Sequence, residues 1–239
     1  MINRSYLSRR SCRSFDTTKP VPEEYYDELK TVINLSPTST NSQGFSAIFV
    51  KDKQIKEIIK SINFDQPHIA DADMIIIFCV DYNRSVIALK ENGQDVHIDG
   101  INQFTINVVD CALAASAASA HANSLGLGAC FLGGLRSNAD KLVGPLKIEG
   151  KCLPVLFLAV GFPAAHGSIQ PKINKCYDNA YDLEKIKKEV EQYDEEMRDY
   201  YKMAYNKDGL TWTKNVAKNT SKMPKPDFVE FIEKNFIKK

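Results

Sequence analysis

The order of apolar and polar positions predicts several helices and buried strands along the chain. In residues 53–62, isoleucines recur at the three- and four-residue spacing that places them on one face of a helix. Residues 74–80 and 153–161 are unbroken apolar runs of strand length, a pattern typical of strands that are buried on both faces. Residues 47–50 form a shorter predicted strand, and a long charged helix is predicted over residues 182–205.

Residues 102–125 predict one long helix, here called the spine helix, with apolar residues on nearly every side. Asp110 is its only acidic residue, and no lysine or arginine follows before Arg136. A helix that is apolar all round packs in a core or in a subunit interface. Its asparagines, its serines and His121 argue against a membrane span, because each would need a hydrogen-bond partner in lipid.

A pair of glycines follows the spine helix. Gly126 is the predicted C-cap of the helix, and a short strand over residues 129–132 leads into Gly133 and Gly134. A backbone without a Cβ can approach a flat or anionic group closely. We therefore expect the spine helix, with the strand that follows it, to position this glycine pair in a binding site.

The N-terminal stretch leaves two interpretations open. Residues 1–15 contain four arginines and four serines, which suits a solvated basic helix. Alternatively, Arg9, Ser11 and Arg13 alternate along an extended backbone and reach one common anion, since guanidinium groups and hydroxyls are typical phosphate ligands.

Four other stretches carry polar or charged residues. The uncharged residues 36–44 are either a plain loop or a contact for a neutral polar heterocycle, and His68, taken alone, is predicted in a surface loop. Residues 81–100 are predicted to be a mobile excursion, and the charge of residues 182–205 predicts a solvated helix face.

The apolar stripe within residues 211–239 must cover the chain's own core or a partner subunit.

Composition narrows the possible functions of these elements. The chain has 239 residues, 44% of them hydrophobic, and a formal net charge of +1, so neither a nucleic-acid nor a membrane partner is expected. The N-terminus lacks the apolar region of a signal peptide, and the six scattered cysteines suggest reduced core thiols in a cytoplasmic protein. The sequence contains no recognised hydrolytic motif or metal-ligand spacing, so we predict no metal site.

Taken together, the motifs resemble the FMN-dependent nitroreductase and flavin reductase family over nearly the whole chain. They are Arg9–Phe15 (RRSCRSF), the loop at residues 36–43, Gln66–Ile69 (QPHI), Ser124–Gly128 (SLGLG), Leu132–Arg136 (LGGLR) and Gly161–Pro163 (GFP). Residues 192–201 (QYDEEMRDYY), with Trp212 beyond them, look most like the oxygen-insensitive branch that uses NADPH.

The resemblance implies an FMN site. Arg9 and Ser11 would hold the FMN phosphate, Arg13 would lie at the N1/O2 edge of the ring, and Gln66 and His68 would lie at its pyrimidine end. The implied cofactor-binding residues are Arg9, Arg10, Ser11, Arg13, Pro37, Thr38, Ser39, Asn41, Gln66, His68, Phe131, Leu132, Gly133, Gly134, Gln170 and Lys172. The family's second phosphate cluster is a basic pair, and here Gln170 replaces one of the two cations.

The resemblance also implies the fold and the reaction. The expected fold is α+β, with a mostly antiparallel central sheet wrapped by helices in an intertwined homodimer. Residues 1–239 would form one FMN-binding domain, with an extension over about residues 180–239 that embraces the partner. The expected reaction is ping-pong transfer of reducing equivalents from NADPH or NADH to a nitroaromatic, a quinone or free flavin, with no protein acid or base. The alternatives are a non-catalytic flavin-binding dimer and a family branch specialised for dehalogenation or flavin rearrangement.

One departure from the family concerns the reductant. In the NADPH-using branch, arginines that meet the 2′-phosphate follow the paired tyrosines. After Tyr200 and Tyr201, this chain carries Ala204 where the resemblance places such an arginine, with Lys202 and Lys207 nearby in sequence. Weak discrimination between NADH and NADPH is therefore expected.

Overall fold

The computed structural model of the protein describes residues 9–96, 100–133, 138, 140–165, 167–220 and 233. The described residues up to Gly167 form one unit, and those from Ser168 to Thr220 form a second. Most of the apolar residues of the predicted tail lie outside the described part: Phe228, Phe231, Ile232, Phe236 and Ile237. The division into one domain with a dimer-embracing extension stays a prediction.

The elements follow the sequence-based predictions closely. In the first unit they are helices α1 (Glu23–Asn34), α2 (Lys53–Ile62), α3 (Pro67–Asp71), α4 (Asn83–Glu91) and α5 (Ile101–Ser124), a short 3-10 helix (Ser39–Asn41), and strands β1 (Phe45–Val50), β2 (Met74–Asp81), β3 (Gly128–Leu132) and β4 (Cys152–Gly161). The second unit contains α6 (Leu183–Tyr205) and α7 (Trp212–Thr220). None of the described helices has the length and hydropathy needed to cross a membrane.

The four strands form one antiparallel sheet in the order β1-β2-β4-β3. All eight residues of β2 are buried, as the unbroken apolar run predicts for an interior strand covered on both faces. Met74 pairs with Val160 at one end of β2, and Asp81 pairs with Cys152 at the other. This sheet confirms the predicted α+β fold.

Alternate residues of β2 point into two separate cores, because successive side chains of a strand face opposite sides of the sheet. Met74, Ile76, Phe78 and Val80 pack in a core that includes residues of α1 and α5. Ile75, Ile77 and Cys79 pack in a second core with Ile59 of α2 and Ile69 of α3. Helices therefore cover both faces of the sheet.

The spine helix, α5, buries its small and polar residues and exposes several of its large apolar ones. The buried residues are Asn107, Asp110, Cys111, Ala114, Ala115, Ala118, Ser119 and Ala122. Small side chains let the helix axis approach the sheet closely. Ile101, Val109 and Leu113 are 62%, 51% and 47% exposed on the outward side. The helix therefore contributes one face to the core and presents an apolar face outward.

Residues 81–100 depart from the predicted mobile excursion, which is wrong for α4. The buried Asp81 accepts a hydrogen bond from the Asn83 backbone N–H at 3.0 Å, and this contact holds the first residue of α4. The Asn83 side chain donates to the Glu149 carbonyl at 3.0 Å and accepts from the Lys151 backbone N–H at 2.9 Å. These polar contacts order the segment, and apolar periodicity gives no sign of them.

The second unit is organised around α6. Asp182 caps this helix by accepting a hydrogen bond from the Lys185 backbone N–H at 2.9 Å. Tyr193, Met197, Tyr200 and Tyr201 are buried within the unit, together with partly buried Trp212 of α7. The charge run therefore has a solvated face, as predicted, and also an aromatic face on which the unit packs.

Candidate functional site

The N-terminal segment runs in an extended conformation beside strand β3. The Cys12 backbone N–H donates to the Ala129 carbonyl at 3.0 Å, and Ser11 and Ala129 form a parallel bridge. Phe15 forms a second bridge, with Pro163. Residues 9–15 contain no helix, so the extended interpretation replaces the solvated-helix interpretation for the described part of this stretch.

Gly128 permits this close approach of the segment to the strand. A Cβ at Gly128 would lie 2.5 Å from the Cys12 sulfur, which is too short for any real contact. The Cys12 and Phe15 side chains are 7% and 6% exposed and anchor the segment in the second core. The position of the segment is therefore fixed by both backbone pairing and packing.

Alternation along the extended segment separates two sets of side chains. Arg9, Ser11 and Arg13 are exposed, whereas Cys12 between them is buried. Arg10 donates from Nη1 to the Gly167 carbonyl at 3.0 Å. The arrangement places two guanidinium groups and a hydroxyl on one side of the strand, here called the anion face (Arg9, Ser11, Arg13).

Electrostatic effects place His68 and Cys130 close to the anion face. Burial lowers the pKa of His68 below its ordinary value, and the positive charge of Arg13 lowers this pKa further. Burial raises the pKa of the Cys130 thiol, against the opposing effect of Arg13 and a hydrogen bond with Ser11. The extended segment at residues 9–15, helix α3 and strand β3 therefore lie close together at one site.

His68 is a buried residue of helix α3, so its prediction as a surface loop residue is wrong. Its exposed fraction is 6%, and its Nε2 atom is buried without a hydrogen-bond partner among the residues that the structure describes. Gln66 precedes the helix and donates from Nε2 to the Asn63 carbonyl at 3.2 Å. An unpaired buried ring nitrogen is costly unless a ligand satisfies it, so His68 fits the predicted contact with a bound polar ring.

Strand β3 ends at this site, and its last two residues differ in how far they are exposed to solvent. Phe131 is 39% exposed, whereas Leu132 is 3% exposed. Gly133 follows the strand and is exposed, so its backbone is open to a ligand. Gly134, the second glycine of the predicted pair, lies outside the described residues.

The predicted polar loop forms a separate group on the spine helix. The Ser39 backbone N–H lies 3.2 and 3.3 Å from the two carboxylate oxygens of Asp110, which is 3% exposed. Pro37, Ser39 and Asn41 are exposed, and Thr38 is half-buried. No hydrogen bond or ion pair between described residues joins this loop to the anion face. The apolar pattern did not predict that Asp110 binds the loop. The available signal was a single acidic residue in an otherwise apolar helix.

Gln170 and Lys172 lie in an extended segment held by helix α6 of the second unit. The Tyr193 hydroxyl donates to the Pro171 carbonyl at 2.8 Å, and the Ser168 and Tyr200 hydroxyls are 2.9 Å apart. Gln170 is half-buried, and Lys172 is exposed. Their roles in phosphate binding stay predictions.

Comparison with protein-family models identifies the chain. The model described as the nitroreductase family matches residues 6–162, and the model of that family's C-terminal domain matches residues 171–239. The chain belongs to the nitroreductase family.

Named relatives and solved structures match this family member over nearly its full length. The FMN reductase (NADPH) of Bacillus subtilis strain 168 is 30% identical, with 97% of this chain and 96% of the relative covered. The oxygen-insensitive NADPH nitroreductase of Salmonella typhimurium is 28% identical, with 94% and 93% covered. The solved structure of B. megaterium NfrA1 is 31% identical with a TM-score of 0.92, and the match covers 99% of this chain and 98% of that structure.

The buried His68 predicts a pH dependence of stability. Because its pKa is lowered in the folded protein, the unfolded chain binds more protons once the pH falls below about 6.5. The stability that neutral His68 contributes is therefore present above that pH and is lost as the pH falls towards the folded pKa. We expect the thermal midpoint of the parent to drop more steeply between about pH 7.5 and about pH 5 than that of His68→Gln. Parallel slopes in thermal melts followed by circular dichroism would contradict this assignment.

Proposed function

We propose that this chain is an NAD(P)H-dependent flavoprotein oxidoreductase that holds FMN between the anion face, His68 and the end of β3. The observation that carries the proposal is that Arg13 of the anion face lies near enough to His68 to lower its pKa, while the buried His68 Nε2 has no hydrogen-bond partner among the described residues. Membership of the nitroreductase family supports the same conclusion, as do relatives named FMN reductase and NADPH nitroreductase.

The residues present fit the phosphate of FMN. Arg9 and Ser11 offer a guanidinium group and a hydroxyl on one side of an extended backbone, which suits an oxyanion. The second phosphate contact of Gln170 and Lys172 stays a prediction from the resemblance. The anion face thus offers two arginines and a hydroxyl for the phosphate and for a ring that gains negative charge on reduction.

The remaining site residues fit the ring. His68 Nε2 is available to a ring heteroatom, and the exposed backbone of Gly133 allows a flat group to lie close. The positive charge of Arg13 favours the negative charge that a flavin gains on reduction. Bound FMN supplies the hydride chemistry, in a ping-pong sequence with NAD(P)H first and a nitroaromatic, quinone or free flavin second. The protein residues orient and stabilise the ring, and none is required as an acid or base.

A homodimer completes this proposal. The outward face of α5 exposes the apolar side chains of Ile101, Val109 and Leu113, on a helix whose other side is buried. The loop that carries Ser39 is tied to Asp110 of the same helix. Pairing of two chains through α5 would therefore position the loop of one subunit relative to the flavin site of the other.

All six cysteines are free thiols, which supports the proposed cytoplasmic location.

Removal of Arg9 tests the phosphate contact. We expect Arg9→Ala to raise the dissociation constant of FMN by about tenfold to a hundredfold, the effect of losing one charged hydrogen bond. Fluorescence titration of the apoprotein measures this, and Arg198→Ala, which removes an exposed arginine of α6 outside the proposed site, is the matched control and should leave the affinity unchanged. Equal affinity for FMN in Arg9→Ala and the parent would exclude this assignment.

A charge on the outward face of α5 tests the dimer. Leu113→Glu is expected to give a monomer by light scattering and to lose FMN along with the dimer, because the pocket would be shared. The matched control is Ile87→Glu, which places the same charge at an exposed apolar residue of α4, outside the proposed contact. A flavin-loaded monomer would contradict the shared pocket.

The residues at the C-terminal end of α6 determine the expected preference between NADPH and NADH. Ala204 is exposed, and the nearby Lys202 lies 3.9 Å from Asp208, which partly neutralises its charge. Neither side chain offers the paired N–H donors of an arginine guanidinium group, which favour binding of a 2′-phosphate. We expect kcat/KM for NADPH and NADH to differ by less than about a hundredfold. Steady-state kinetics with each nucleotide settles this, and a larger NADPH preference would contradict it.

A further inference from the structure

A cleft of about 630 Å³ lies between the polar loop at Asn41–Gln43 and helix α4. Arg84 and Ser85 line it at the start of the helix, and Ala88 and Asn92 line it further along. No carboxylate is among the described residues that line this cleft, so the guanidinium group gives it a positive character. None of the contacts proposed for FMN uses Arg84.

Arg84 is anchored through one of its nitrogens only. Nη1 donates to the Phe45 carbonyl and to the Ser46 hydroxyl, both at 3.1 Å, and lies 3.4 Å from the Asp81 carboxylate. Nε and Nη2 make no hydrogen bond to any described residue, and the side chain is 55% exposed. Asp81 offsets part of the charge, but it also holds the guanidinium group in place. The free edge of the group retains the paired N–H donors that bind oxyanions.

The loop side of the cleft contains a hydroxyl without a partner. Ser42 Oγ is buried and makes no hydrogen bond within the described part of the chain, although buried hydroxyls are normally satisfied. Asn41 and Gln43 on either side have positive φ angles of 57° and 51°, conformations that are costly for residues other than glycine. The Gln43 amide donates to Asn41 Oδ1 at 2.6 Å and so fixes both side chains. Such a strained, unsatisfied loop is consistent with a ligand that satisfies it.

We propose that this cleft binds the phosphate group of a substrate, with Arg84 as its principal ligand and the Ser42 hydroxyl as a second donor. The inference rests on the proposed function, because Asn41 belongs both to the cleft and to the loop that is predicted to contact the flavin. Two substrates of that reaction carry the required phosphate: the nicotinamide nucleotide and free FMN as electron acceptor. Both present phosphate oxygens to the guanidinium group, FMN from a terminal phosphomonoester and the nicotinamide dinucleotide from its pyrophosphate.

Matched substrates distinguish these two sources. As acceptors, FMN and riboflavin differ only in the phosphate. As reductants, NADH and 1-benzyl-1,4-dihydronicotinamide share the reacting ring, but only NADH carries phosphates. We expect Arg84→Gln to raise KM for one phosphate-bearing substrate by about tenfold or more and to leave its phosphate-free partner unchanged. A rise for FMN alone assigns the cleft to the acceptor, and a rise for NADH alone assigns it to the reductant.

Two further variants control for folding and for charge. Ala88→Glu places a carboxylate in the cleft without removing the contacts of Arg84 to Ser46 and Asp81, and it should raise the same KM. Lys90→Gln removes a cation from the exposed end of α4 outside the cleft and should change neither KM. If neither cleft variant changes a KM by more than about twofold, or if the phosphate-free partner changes equally, the inference is wrong. A parent protein that binds no FMN would instead overturn the proposed function itself.

Discussion

The backbone hydrogen bond from Cys12 to Ala129 is the contact on which the candidate site depends. It holds an N-terminal segment, which has no regular structure of its own, in register with β3. That register determines which side chains of the segment face outward, since a shift by one residue would exchange Arg9, Ser11 and Arg13 for their neighbours. Gly128 makes the contact possible because a side chain there would collide with Cys12.

The spine helix links the core of the sheet to the polar loop. Its small residues let it pack against the sheet, and Asp110, buried among them, accepts the Ser39 N–H. A buried carboxylate needs such donors, so the loop and the helix stabilise each other. The large apolar residues Val109 and Leu113 remain on the outward face. One helix therefore supports the loop and offers the surface proposed for subunit contact.

Much of the fold could be predicted from the sequence because apolar periodicity reports burial directly. The predicted helix over residues 53–62 agrees with α2, and the apolar run of residues 74–80 lies within the buried strand β2. Helix α4 and the burial of His68 could not be predicted in this way. The first depends on the Asp81 side chain, and the second on packing of the short helix α3 against the second core.

The candidate site, like the fold, could be predicted from the sequence only in part. The composition of the N-terminal stretch favoured a helix, the alternation of Arg9, Ser11 and Arg13 suggested an extended segment, and only the pairing with β3 decides between them. The resemblance to the family predicted a set of site residues, but it could not indicate that Arg10 donates to Gly167 or that Ser42 lacks a partner among the described residues. Those facts come from contacts between residues that are distant in sequence or from geometry within a loop.

We propose that the anion face, His68 and the end of β3 hold a redox-active FMN. The visible absorption spectrum of the purified protein during anaerobic titration with NADH or NADPH tests this most directly. We expect a yellow protein that releases FMN on denaturation, bleaches on addition of either nucleotide, and regains its colour when a quinone is added. A protein that binds no FMN when it is supplied, or a flavin-loaded protein that neither nucleotide bleaches, would contradict this proposal.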